Sequence, residues 1–517
     1  MANKSIFTAT TGRVLPATDT LNRAGAPAFA YEESHALAQI AMTGTFNSGF
    51  YGSGMAQVAE LMAAAQEVEP RFLAQTAIYA RRKGHMKDTP AFLLAALSTR
   101  DPMLFHRAFP QIVDNGKMLR TFVQIVRSGA TGRKSLGTAP KRQVQHWLNS
   151  ASDWQLLNAA VGNDPSLADV IKMVHPKPIT PERAALFAWI IGTPCDLKKL
   201  PEAVLDYLRF KDSASSPLPD MPFQMLTSLP LSAAHWAKIA ERGSWQMLRM
   251  NLNTFARKGV FDLTPSVRTI AKKLADPQAV RKAKAMPYQL MAAATSLNSD
   301  VPDVVRNALT DAMEVAVSNV PKLEGSVVVC PDVSGSMGAP VTGYRQGATT
   351  MVRCVDVAGL VAAAILRTNP SAEVMPFDTR VHEVKTDAGQ SVLAHATSLA
   401  SFCGGGTDCT APLRKLSETG KAPDLVLLVS DNQSWAHFGD RRTTPIMIEW
   451  EKIKRRNPHA KLVCIDIAPY GTTQAQTRED ILNVGGFSDS VFDVIARFAR
   501  GESGSEYWSR EIAKIEV

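Results

Sequence analysis

Nothing in this 517-residue chain approaches the run of about 18 uncharged apolar residues that a membrane-crossing helix requires. The opening stretch MANKSIFTATTGRVLP lacks the apolar core of a secretory signal, so the chain reads as cytoplasmic with no membrane partner. Cysteine is scarce. Cys195, Cys330, Cys354, Cys403, Cys409 and Cys464 form no C-x-x-C pair and no zinc-finger spacing, which argues against a disulfide framework or a zinc site. Cys330 and Cys464 fall in apolar, strand-like runs, where a free thiol packs as a small hydrophobe.

Catalytic signatures are missing as well. No H-E-x-x-H occurs, and the loop carrying Ser334 is not G-x-S-x-G and has no motif-linked histidine. The segment GATGRKS at 129–135 misses the G-x-x-x-x-G-K-[ST] spacing of a phosphate loop and follows a helix, not a strand. These gaps point away from an enzyme.

One further absence is local. From residue 115 to 152 there is no Asp or Glu, yet Lys117, Arg120, Arg127, Arg133, Lys134, Lys141 and Arg142 all occur. A second basic stretch holds Arg268, Lys272, Lys273, Arg281, Lys282 and Lys284, opposed only by Asp276, and a third is Arg81-Arg82-Lys83 with His85 and Lys87. The chain carries a net +9, and its distribution is lopsided. Residues 1–320 hold 36 Lys and Arg against 25 Asp and Glu, whereas 321–517 hold 21 against 23. Any one such stretch suits a solvated helix face. Their recurrence in one region favours a polyanion partner, held through phosphate contacts that position without reading sequence. No aromatic platform of the RNP type is visible, and Trp147, Trp154, Trp189, Trp236 and Trp245 are expected in the core.

What is present divides the chain in three. Residues 1–35 show no sustained periodicity and suggest an extended arm. Residues 36–320 read as helices throughout, with Thr89-Pro90, Asp101-Pro102, Thr180-Pro181 and Asp276-Pro277 as start signals and Gly84, Gly129 and Gly192 as stops. After Lys117, Leu119, Phe122, Val123 and Val126 recur at helical spacing on one face. Many such helices joined by short turns suggest stacked antiparallel pairs of the α-solenoid kind. From 321 to 517 the grammar changes: apolar runs at 326–330, 372–377, 425–429 and 461–467 alternate with helical stretches at 355–366, 411–417 and 446–454. That alternation predicts a doubly wound parallel sheet, with ligands beyond the carboxyl ends of its strands.

The sharpest motif follows the first of those runs. In Asp332-Val333-Ser334-Gly335-Ser336 the alternate residues can converge, offering a carboxylate and two hydroxyls around a tight glycine turn. Thr407, in Gly404-Gly405-Gly406-Thr407-Asp408, and Asp431, at the end of the third run, would reach the same sheet edge. Asp332, Ser334, Ser336, Thr407 and Asp431 offer oxygen only, the preference of a hard divalent cation, Mg²⁺ before Ca²⁺ or Mn²⁺. The plainer reading, that Asp332 and Ser334 only satisfy turn amides, explains the first motif but not the other two.

Together these residues resemble the Ro autoantigen (TROVE-module) family, in particular its bacterial Ro-related members. The markers are DVSGSM at 332–337, GGTDC at 405–409, SDNQSWA at 430–436 and GFSDSVFDVI at 486–495, with GRKSLGTAPKRQVQHWLN at 132–149 and SLADVIKMVHPKP at 166–178. The resemblance implies a HEAT-like helical-repeat ring followed by a von Willebrand A domain with a metal-ion-dependent adhesion site. It further implies binding of Y-like RNA and of single-stranded 3′ ends of misfolded or maturing noncoding RNA. Quality control or processing with an exoribonuclease, a role in stress responses and a monomeric free state complete the picture. By motif match, Lys172, His175 and Lys177 would lie on the Y RNA face, with Arg133, Lys134, Lys141 and Arg142 nearby. The competing expectation is a metal-dependent module that grips an acidic protein partner without RNA.

Overall fold

The computed structural model describes residues 15–213, 216–283, 285, 287–318, 320–344, 352–387, 389–435, 443–502 and 507–517. Of the sequence expectations, residues 1–14 of the arm, Lys284 of the second basic stretch and Ala436 of SDNQSWA lie outside the described residues.

The expected fold class holds: an all-helical region precedes a five-stranded parallel sheet with helices between its strands. Two compact units result. One takes in residues 1–64, 284–296 and 313–513; the other takes in 65–283, 297–312 and 514–517.

In the helical unit the start signals do what their chemistry allows. Asp101 accepts from the amides of Met103 and Leu104, Thr180 from Arg183, and Asp276 from Gln278. Thr89 does not cap; it is buried inside a helix that begins one residue earlier, at Asp88. Gly192 closes its helix in the left-handed region at φ 81°, but Gly84 lies beyond a helix whose cap is Lys83. The helix Gly116–Arg127 buries Met118, Leu119, Phe122, Val123 and Val126. Phe122 meets Phe105 and Phe109 at centroid separations of 5.9 and 5.4 Å, a geometry that adds to area burial. Trp236 and Trp245 are core residues as expected, whereas Trp147 and Trp189 are half-buried and Trp154 is 46% exposed.

The sheet-bearing unit contains β1 (Thr20–Leu21), β2 (Pro27–Ala30), β3 (Val327–Pro331), β4 (Glu373–Val374), β5 (Leu425–Ser430), β6 (Lys461–Asp466), β7 (Thr472–Thr473) and β8 (Ile481–Gly485). The parallel sheet runs β4-β3-β5-β6-β8, so the chain steps outward from β3 on one side and then crosses to the other. That reversal opens a crevice at the carboxyl ends of β3 and β5. All residues of β3, β5 and β8 are buried, as a sheet covered on both faces demands. The run at 372–377 pairs regularly only at Glu373–Val374, with Phe377 adding isolated bridges to Asp332 and Val381. A smaller antiparallel sheet, β1-β2-β7, gathers the segment read as an arm; β2 pairs Phe29 with Thr473 and sends the buried Phe29 ring into the cluster of Cys330, Leu428, Met447 and Trp450.

Candidate functional site

Two places concentrate the chemistry, one in each unit. In the sheet-bearing unit Asp332 follows β3 directly, and its amide donates to the Val429 carbonyl of β5. One carboxylate oxygen accepts from the Ser334 amide at 2.8 Å; the other accepts from the Ser430 hydroxyl at 2.6 Å. The Ser334 and Ser336 hydroxyls are 3.3 Å apart. The glycine loop is zipped to this turn, with Gly335 N donating to Gly405 O at 3.0 Å and Gly404 N to Val333 O at 2.8 Å. Gly405 sits at φ 74°, and a Cβ there would come 2.8 Å from an Asp378 carboxylate oxygen, so the loop requires glycine. Beyond β5, Asn432 adopts φ 61°, which asparagine tolerates, and this turn presents Asp431 at the crevice.

Asp332, Ser334, Ser336, Thr407 and Asp431 are all at most 6% exposed. Burial, and then the Asp431 charge, push the Asp332 carboxyl upward; burial likewise raises that of Asp431. No ion pair is present for either among the described residues. Two buried carboxylates facing three hydroxyls without a cation are costly to ionise, and a divalent ion is the species that would relieve that cost. The donor set therefore fits the expected metal. Among the described residues no three His, Cys, Asp or Glu side chains gather at metal-binding spacing, so this site would rest on two carboxylates and hydroxyl oxygens. Asp408, the next residue of the motif, is turned elsewhere: it accepts from Thr410 N and pairs with Arg414 at 3.0 Å.

Sequence reasoning missed the second layer. Ser430 holds Asp332, and Asn432 donates its side-chain amide to Asp466 at 3.2 Å. Asp466 is fully buried, accepts also from the Tyr31 hydroxyl at 2.7 Å and Gln39 at 3.2 Å, and has its carboxyl pushed up to about 8 by burial. The apolar run ending in Asp466 was a usable signal; its partners Tyr31 and Gln39 carried none.

In the helical unit a cavity of about 520 Å³ is lined by Arg127, Lys134, Ser135, Leu136, Gly137, Thr138, Lys141, Arg142, Gln145 and Met173. It opens over the first turn of the helix Thr138–Ser150, whose amide end adds to the positive field. Among the described residues no carboxylate lies within ion-pair distance of Arg127, Lys134, Lys141, Arg142 or Lys172, and only the exposed Asp169 acts on Lys172 and Arg127 from farther away. Gln145 donates to the Val174 carbonyl at 2.6 Å and Asn149 to Lys177 O at 3.0 Å. Those bonds set the exposed Lys172, His175 and Lys177 beside the pocket helix, with His175 in the left-handed conformation at φ 49°.

Other expected residues are engaged elsewhere. Arg133 donates to the Ser98 carbonyl at 2.7 Å and lies under Gly137, where a Cβ would meet its guanidinium at 2.6 Å. Lys273 caps a neighbouring helix end through Glu241 O at 3.0 Å and Gly243 O at 2.5 Å. Arg268 and Lys272 remain exposed, one turn apart on the helix Thr264–Ala275. In the third stretch, Arg81 is neutralised by Asp114 at 2.7 Å.

Comparison with known proteins bears out the resemblance read from the sequence. Residues 326–499 match the model of the Ro60 vWA domain. The chain is 26% identical over 537 residues to an RNA-binding protein RO60 of Deinococcus radiodurans, covering 93% of this chain and 95% of that protein. The crystal structure of the Deinococcus radiodurans RO (RSR) protein superposes with a TM-score of 0.60 at 20% identity, covering 91% of this chain and all of the other.

Proposed function

We propose that this chain, Ro-related along its length and carrying the Ro60 vWA domain at 326–499, is an RNA-binding scaffold and not an enzyme. The observation that carries this reading is the pocket in which Lys134, Lys141 and Arg142 stand together without a carboxylate among the described residues. A cluster of cations without ion-pair partners on a helix start suits phosphate, and the exposed Lys172, His175 and Lys177, tied beside the same helix, continue the positive surface. The Deinococcus radiodurans relative is an RNA-binding protein, which agrees with this chemistry. Within that reading the ligands are Y-like RNA and single-stranded ends of misfolded or maturing noncoding RNA, and the work is quality control or processing beside an exoribonuclease. The cage of Asp332, Ser334, Ser336, Thr407 and Asp431 holds a divalent cation, Mg²⁺ first, which would neutralise its buried carboxylates.

The second reading, a metal-dependent grip on an acidic protein, draws on the same cage. Crosslinking the chain to RNA in its own cells and sequencing what is recovered tests the choice. Small structured noncoding RNAs are expected, and they are expected again with Asp332→Ala. Recovery no better than from a chain with Lys134, Lys141 and Arg142 replaced by alanine would remove the RNA reading.

A further inference from the structure

The metal cage opens toward residues 45–52 of the same unit, a segment with no part in the adhesion-site motif. This strap is fastened at several points. The Thr45 hydroxyl and the Asn47 amide both donate to the Thr342 carbonyl, at 2.9 and 2.8 Å, and the Tyr344 amide donates to Ser48 O at 2.8 Å. Gln57 clamps it from the helix that follows, donating to Asn47 O at 2.7 Å and accepting from Phe46 N at 3.2 Å. Gly54 permits the tight return, since a Cβ there would fall 2.1 Å from the Phe46 carbonyl oxygen.

The strap delivers Tyr51 to the cage. Its backbone amide donates to the Tyr470 hydroxyl at 3.3 Å, and the two rings meet edge to face at 5.9 Å. The Tyr51 phenol lies within interaction range of the Ser336 side chain, as does the Asp431 carboxylate, and the charges of Asp431 and Asp332 both act on the phenol. Gly49, Phe50 and Tyr470 share with Ser336 and Asp431 the lining of a cavity of about 30 Å³, room for one or two waters. Strap residues Thr45, Gly49 and Phe50 thus wall the same cavity onto which Ser336 and Asp431 open.

We propose that the 45–52 strap is a built-in occupant of the metal site, the Tyr51 hydroxyl standing where the carboxylate of an acidic partner would otherwise enter. The inference rests on the reading of the cage as a metal site. A neutral phenol suits the place: two buried carboxylates already balance a divalent ion, and a third would restore uncompensated negative charge inside the protein. The strap thus makes the site an internal one, closed to acidic partners until residues 45–52 are drawn away.

Manganese bound to the full chain gives the test, followed by its paramagnetic resonance and by the relaxation of its water protons. The native chain should bind Mn²⁺, and added acetate should barely change the bound signal. Tyr51→Ala should keep Mn²⁺ affinity within about threefold while acetate affinity for the bound ion rises about tenfold or more. Tyr51→Phe, which loses only the hydroxyl, should fall between the two. Equal acetate binding by native and Tyr51→Ala chains would overturn the proposal. So would a drop of about tenfold in Mn²⁺ affinity with Tyr51→Phe, which would make the phenol a ligand and not a cover. Failure of the native chain to bind Mn²⁺ any better than Asp332→Ala would instead remove the metal reading beneath it.

Discussion

Replacing Lys134, Lys141 and Arg142 together by alanine probes the pocket where its chemistry is most exposed. Five cations surround or adjoin the cavity, namely Arg127, Lys134, Lys141, Arg142 and Lys172, and none is within ion-pair distance of a carboxylate among the described residues. If each neutralises one phosphate of single-stranded RNA, counterion release gives a slope of about −3.5 in log affinity against log salt. A fourfold rise in salt should then weaken native binding roughly 100-fold, whereas the triple variant, with a slope of about −1.4, should lose only roughly sevenfold. Fluorescence anisotropy of an end-labelled single-stranded oligoribonucleotide, titrated at several salt concentrations, measures both slopes. Arg133→Ala is the internal control. Its guanidinium is engaged with Ser98 O and packed under Gly137, so its loss should cost about 1–3 kcal/mol of stability and leave the slope alone. Identical slopes for the native chain and the triple variant would refute the reasoning, as would a slope change from Arg133→Ala as large as that of the triple variant.

Adding Mg²⁺ should raise the melting temperature by an amount that grows with its concentration, about 2.7 kcal/mol of extra stability at a hundred times Kd, and Asp332→Ala should abolish the increment in calorimetry. Asp466 binds its proton more tightly folded than unfolded, since burial lifts its carboxyl to about 8; native stability should therefore fall as pH rises from the ordinary carboxylate range through 8. Asp466→Asn, which keeps an acceptor for Tyr31, should flatten that fall in urea titrations, and an unchanged pH profile would contradict the assignment. Gly116→Ala should destabilise by about 1–3 kcal/mol despite alanine's better helix propensity, because the new Cβ would sit 2.1 Å from that of Ala159; denaturant midpoints decide this one.

Tertiary structure parted residues that looked alike in sequence. Arg133 and Lys134 are adjacent members of one acid-free stretch, yet Arg133 serves a buried carbonyl and Lys134 faces the cavity. Lys272 and Lys273 divide in the same way, the first exposed and the second capping a helix. Composition counts charges but does not say where a side chain's last donor ends up. Trp154, expected in the core, emerges on the surface because a helix of seven residues, Asp153–Ala159, has too little buried face to hold it.

The sequence alone determined the alternation of helix and apolar strand, the oxygen-bearing motif at the carboxyl edge of the sheet, and the region that holds the positive charge. Each is written in local spacing: periods of 2 and 3.6, a D-x-S-x-S turn, runs without acids. Only the tertiary structure decided that Tyr31 and Gln39 from the N-terminal segment reach Asp466 at the carboxyl edge of the sheet, separated from it by 435 and 427 positions along the chain. Those contacts depend on which distant surfaces meet, and a short segment such as Pro27–Ala30 becomes a strand only when β7 supplies the partners for its backbone.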